Sequence, residues 1–158
     1  MTAVAESIHT LADLSAWPYS GVALAVIGHP IAHSLSPVIH NAALAALART
    51  EPRFRDWRYF KFDIAPGDLP AALAAFHRLN FRGLNLTVPH KSLVVEHLAK
   101  SDAFVHAAGA ANTLTFFEDG WHGANTDGYG LTHSLQQALG AGLPGAHVIL
   151  LGAGGAAR

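Results

Sequence analysis

VALAVIGHPIAHSLSPVIHNAALAALART, residues 22–50, sets the fold class. Its opening, Val22–Gly28, is a short apolar run closed by Gly28 and Pro30, the pattern of a buried strand. Ser36 followed by Pro37 then signals a helix start, because a serine hydroxyl satisfies free backbone amides and proline fits the first helical position. The helix continues through VIHNAALAALA, residues 38–48. Strand, turn and helix in succession is the building unit of an α/β domain.

The same alternation extends outward. WRYFKFDI (57–64) is an aromatic-rich alternating strand. Asp68 caps a second helix over LPAALAAFHRLN (69–80), with Leu69, Leu73 and Phe76 on one face. LNLTV (84–88) follows Gly83 as a strand ended by Pro89, a third helix covers about 92–99, and a short helical piece follows Asp102. NTLTFFEDGWHGAN (112–125) reads as a hairpin turning at Asp119 and Gly120, and a fourth helix spans about 128–139. The expected architecture is an α/β fold with a mostly parallel sheet flanked by helices.

Composition narrows the partners. Of 158 residues 51% are hydrophobic and the net charge is −1, so a full core is expected, and neither nucleic acid nor a membrane is the expected partner. A small-molecule ligand is. The absence of cysteine excludes disulfides and sulfur-built zinc sites. Histidine is abundant, but HPIAHSLSPVIH places His29 in a turn, His33 in a loop and His40 in a helix, not at the spacing of a zinc enzyme, so no metal is expected. The first ten residues lack a secretory pattern and no apolar run is long enough to span a bilayer, which points to the cytoplasm.

At the other end, Val148 to Leu151 reads as an apolar strand running into Gly152, Ala153, Gly154, Gly155 and Ala156, with Ala157 completing a G-x-G-x-x-A pattern. Such a turn brings backbone amides and a helix N-terminus to a dinucleotide pyrophosphate. GAGLPG (140–145) separates it from the helix before. The expected division is therefore an α/β substrate-binding and catalytic domain over 1–140 and the beginning of a Rossmann-type NADP-binding domain over 141–158. On that reading the chain is the front part of a longer enzyme.

GLNLTVPHKS (83–92) carries the most chemistry. Strand side chains alternate, so Asn85 and Thr87 face one side of the sheet near its C-terminal end, where open α/β folds place ligands. Pro89 then turns the chain so that Lys91 emerges at a helix start, where the N-terminal dipole disfavours a cation. Several polar residues have a second, purely structural reading. Ser36 is also a helix cap, Asn112 and Thr113 also suit a turn, Asp127 also suits a helix start, and Asn85 also fixes backbone geometry.

Taken in order, IGHPIAHSLSPVIHNAAL, GLNLTVPHK, AGAANTL, ANTDGYG and GAGGAAR resemble the motif blocks of the shikimate dehydrogenase family. They run from Ile27 to Arg158. The resemblance implies reversible NADPH-dependent reduction of 3-dehydroshikimate to shikimate, in aromatic amino-acid biosynthesis. It assigns Ser34 and Ser36 to the substrate carboxylate, and Thr87, Asn112 and Asp127 to its ring hydroxyls, with Asn85 beside them. Lys91 becomes the catalytic proton carrier paired with Asp127, and Gly152 to Ala156 the NADP turn. The Asp127 carboxylate would favour a charged ammonium, opposing the helix dipole and desolvation. A quinate or dual quinate/shikimate dehydrogenase, a non-catalytic shikimate-binding domain, and a homodimer stay open.

Overall fold

The computed structural model describes residues 7–140 together with 145, 147–149 and 151. Its strands are β1 (Ile8–His9), β2 (Val22–Gly28), β3 (Trp57–Asp63), β4 (Gly83–Leu86), β5 (Lys100–Ser101), β6 (Thr113–Phe117) and β7 (Gly120–Ala124). Its α-helices are α1 (Ser36–Thr50), α2 (Leu69–Arg78), α3 (His90–Leu93), α4 (Ala103–Ala108) and α5 (Asp127–Leu139). One sheet holds the strands in the order β1-β3-β2-β4-β6-β7-β5. The pairs β1/β3, β3/β2, β2/β4 and β5/β7 are parallel, whereas β4/β6 and β6/β7 are antiparallel, so the sheet is mixed.

Alternation along β2 and β3 explains why helices cover both faces. Ala23, Ala25, Ile27 and Phe62 point to one side, where Leu69, Leu73 and Phe76 of α2 close over them with Phe81. Val26 and Tyr59 point to the other, against Leu44 of α1 and Ile31 of the loop before it. A strand buried on both faces must be apolar at nearly every position, which VALAVIG is. On the α2 side the core is aromatic: Phe62 lies 4.9 Å from Phe76 edge to face and 5.9 Å from Phe81.

Glycine is required where β4 runs past the end of β2. A Cβ on Gly28 would stand 2.5 Å from Thr87 Cγ2 and 2.8 Å from Ile31 Cδ1. The close approach continues the ladder beyond the end of β4, with Thr87 N donating to Ile27 O at 3.0 Å and His29 N to Val88 O at 3.0 Å. The His29–Pro30 and Val88–Pro89 peptides are cis.

Several expectations are corrected. The third helix is a single α-turn followed by a 3-10 turn, Val95–His97. Leu98 is extended, and Ala99 N donates to Trp121 O, because β5 is drawn into pairing with β7. Ser36 is not the cap of α1: Leu35 holds that place, and Ser34 Oγ accepts from Ser36 N at 3.3 Å. Asp68 occupies the cap of α2 without a side-chain bond, since its backbone is helical rather than extended and does not aim the carboxylate at the free amides. Asp102 does cap α4, accepting from Val105 N at 2.8 Å. The hairpin turns at Glu118 and Asp119, with Gly120 already paired to Phe117. Val148, Ile149 and Leu151 do not form a strand; they are 72%, 90% and 93% exposed. An apolar run becomes a strand only where a neighbour completes its ladder, and no described strand pairs with them. The glycine turn after them lies outside the described residues.

Phe62→Ala removes a fully buried ring from the aromatic cluster. Urea unfolding should show a loss of about 3–5 kcal/mol, read as a lower midpoint with an unchanged slope.

Candidate functional site

Parallel pairing places Gly28, Asp63 and the segment after Leu86 at one edge of the sheet. There the loop between β2 and α1 stands over the end of β4, and between them lies a cleft of about 470 Å³. Ser34, Ser36, Asn85, Thr87, Lys91 and Asn112 all line it, with Val26 and Ile31 among its apolar walls. Six residues expected from the sequence are thus brought together, Asn85 and Thr87 from one side of the sheet as anticipated. A cleft of this size with a few converging polar groups is suited to a small polar molecule.

Each polar group is held in place. Lys91 Nζ donates to Asp127 Oδ2 at 2.6 Å, in a pair whose side chains are 22% and 46% exposed. Asn112 Nδ2 donates to Asp127 Oδ1 at 2.8 Å, while its Oδ1 accepts from Thr126 N at 3.1 Å. Asp127 N in turn donates to Asn125 Oδ1 at 2.9 Å, and Asn125 Nδ2 to Ala110 O at 2.8 Å. The Lys91 backbone is tied to the same segment, its carbonyl accepting from Ala111 N at 2.7 Å. Asp127 therefore does not line the cleft itself but reaches it through Lys91 and Asn112. The dipole argument for Lys91 loses its basis, because α3 is one turn and has no aligned run of peptides behind it.

The serines divide their work. Ser34 Oγ is engaged by the Ser36 amide, and the Ser36 hydroxyl makes no protein hydrogen bond among the described residues, which leaves it for a ligand. Asn85 is largely satisfied by the protein: its Oδ1 accepts from Tyr59 Oη at 2.8 Å, and its Nδ2 donates to Asn112 O and Thr113 Oγ1, both at 3.3 Å. Burial pushes the Tyr59 phenol well above its ordinary value, and His40 stacks on the ring at 4.2 Å.

Three groups escaped the sequence reading. Thr126 and Asn125 lie inside the quoted block ANTD, where only the aspartate was singled out. Lys61 is the third: it is 8% exposed, and its Nζ donates to Ala32 O at 3.1 Å and Ser34 O at 3.4 Å. Its signal was a lysine in the middle of an aromatic strand.

Comparisons with known proteins point to one family. The family described as the shikimate dehydrogenase substrate binding domain matches residues 26–114, more than half of the chain. The chain belongs to that family. Its curated relatives include a shikimate dehydrogenase (NADP(+)) of Moorella thermoacetica, 45% identical over 85% of this chain and 43% of that protein. Another, from Methanothermobacter thermautotrophicus, is 39% identical over 84% of this chain and 44% of that protein. Among solved structures, shikimate dehydrogenase 1 of Peptoclostridium difficile superposes with a TM-score of 0.74 at 29% identity, over 86% of this chain and 48% of that one. The Thermus thermophilus enzyme, solved in complex with NADP(H) and shikimate, gives 0.66 at 37% identity, over 77% and 44%. The chain spans less than half the length of these relatives.

His90, next to Lys91, anchors the turn in this family member. Fully buried, it donates from Nε2 to Ile64 O at 2.8 Å, while Nδ1 has no partner among the described residues. Burial lowers its pKa below the ordinary 6.5, outweighing the opposing bond to Ile64. The unfolded chain therefore binds this proton at a higher pH than the folded one, and stability present above about pH 6.5 is lost as pH falls below it. His90→Asn should flatten the fall in urea midpoint between pH 7 and pH 5 relative to the parent; an equally steep fall would assign the acid sensitivity to other groups.

Proposed function

We propose that the cleft binds shikimate and 3-dehydroshikimate and that Lys91 carries the proton in their NADP-dependent interconversion. The single observation behind this is the small cleft that gathers Lys91, Asn112 and the Ser36 hydroxyl, with Asp127 bonded to both Lys91 and Asn112. The names of the relatives support it: they are NADP(+) shikimate dehydrogenases, and one neighbour was solved with shikimate.

In the reductive direction, the Lys91 ammonium gives a proton to the oxygen of the ring carbonyl as that oxygen gains negative charge; in the oxidative direction the neutral amine takes the hydroxyl proton. Asp127 orients the Nζ, and Asn112 fixes the second carboxylate oxygen. Ser34 and Ser36 receive the substrate carboxylate at the start of α1, with Thr87 and Asn112 on ring hydroxyls. NADP supplies or takes the hydride when bound. No described residue forms a pyrophosphate cradle, and Gly152 to Ala156, assigned to it, lie outside the described residues. The division into a substrate domain to about residue 140 and the opening of a cofactor domain beyond it belongs to the same proposal, as do a cytoplasmic location and a homodimer.

Two measurements test this. Calorimetric titration of shikimate into the 158-residue chain should show binding, weakened about two- to tenfold by Ser36→Ala; tighter binding of quinate would instead favour a quinate dehydrogenase. In the protein joined to its cofactor-binding half, Lys91→Met should lower shikimate-dependent NADP⁺ reduction about a hundredfold or more while leaving shikimate binding near that of the parent. Full turnover by the variant would remove Lys91 from the mechanism.

A further inference from the structure

We propose that Lys61 is the cation of the carboxylate subsite, a positioning residue that holds the Ser34–Ser36 loop and supplies the positive charge that the serines lack. The inference rests on the substrate reading given under Proposed function and deepens it.

Position comes first. Lys61 is the register partner of Val26, whose side chain lines the cleft, so the two point to the same face of the sheet. Tyr59, two residues earlier on that face, already reaches the cleft residue Asn85. From the floor of the sheet the Lys61 stem rises under the β2–α1 loop, where Nζ bonds the carbonyls of Ala32 and Ser34.

Charge is the second observation. Among the described residues no carboxylate lies within salt-bridge distance of Lys61. Asp63, the acid two positions on along the same face, is taken by His29 Nδ1 at 2.5 Å. Buried charges are costly unless paired, and two carbonyl dipoles are a partial substitute for a counter-ion. A tether between a strand and a loop needs only a neutral donor. A cation placed there, with one N–H unused among the described residues, is matched by an anion arriving at the Ser34 and Ser36 hydroxyls. Lys61 itself is 8% exposed, so that attraction is screened less than one between surface charges. The lysine then discriminates a ring carboxylate from a neutral substituent, while the serines set its orientation.

The test compares shikimate with shikimate methyl ester, which keeps the ring hydroxyls and removes the charge, by calorimetry on the 158-residue chain. The parent should prefer shikimate about tenfold or more. Lys61→Met should weaken shikimate about tenfold while changing the ester less than about threefold, and Lys61→Arg should restore most of the preference. Equal weakening of both ligands would make Lys61 a loop tether only, and unchanged shikimate binding would remove it from the site; either result overturns the proposal. Should Lys61→Met fail to fold, the preference of the parent decides alone: equal affinity for acid and ester overturns the cation. If the parent binds neither compound, the substrate reading itself fails, and the subsite with it.

Discussion

The parallel pairing of β2 with β3 and β4 is the constraint on which the site depends. Parallel strands end at the same edge, so residues distant in sequence emerge side by side: the loop after Gly28, His29 with Asp63, and Thr87 before the turn to Lys91. The third wall comes from opposite geometry. β6 runs antiparallel to β4, and this returns Asn112 to the cleft, where its carbonyl accepts from Leu86 N at 2.9 Å and its side chain meets Asp127. A purely parallel sheet would have needed another crossover to bring that asparagine back.

Within this frame the polar residues act as one network rather than as separate contacts. Asn112 uses both ends of its amide, one on Asp127 and one on Thr126, so the orientation of the carboxylate is fixed from the side opposite Lys91. The Lys91 backbone is held by Ala111, so the lysine and its partner belong to a single bonded segment. Such preorganisation matters for proton transfer, where small displacements of the donor are expensive.

The sequence made the strands legible where local pattern and tertiary demand coincide. Val22–Gly28 is apolar throughout because it is buried on both faces, and the hairpin is visible because Asp119 and Gly120 mark a turn, one residue beyond the observed one at Glu118 and Asp119. Where a distant partner decides, the local pattern misleads. Residues 92–99 look helical, yet the pull of β7 extends the chain after one 3-10 turn. Ser36 looks like a cap, yet Leu35 holds that position, and Ser34 Oγ accepts from the Ser36 amide while the Ser36 hydroxyl stays open to the cleft. The site serines, Asn85, Thr87, Lys91, Asn112 and Asp127 were named through motif order, which records their joint occurrence but not their distances. Lys61 belongs to no motif, and only the path of β3 beneath the loop reveals its place.

Tyr59 has a consequence for alkaline conditions. Because burial resists loss of its proton, the phenol remains a donor well beyond the range in which exposed tyrosines ionise. Asn85 Oδ1 is then always turned towards Tyr59, and its NH₂ towards Asn112 and Thr113. An amide that elsewhere can rotate by half a turn and exchange donor for acceptor is locked here to one handedness of hydrogen bonding. The floor of the cleft thus keeps the same polarity at high pH as at neutrality.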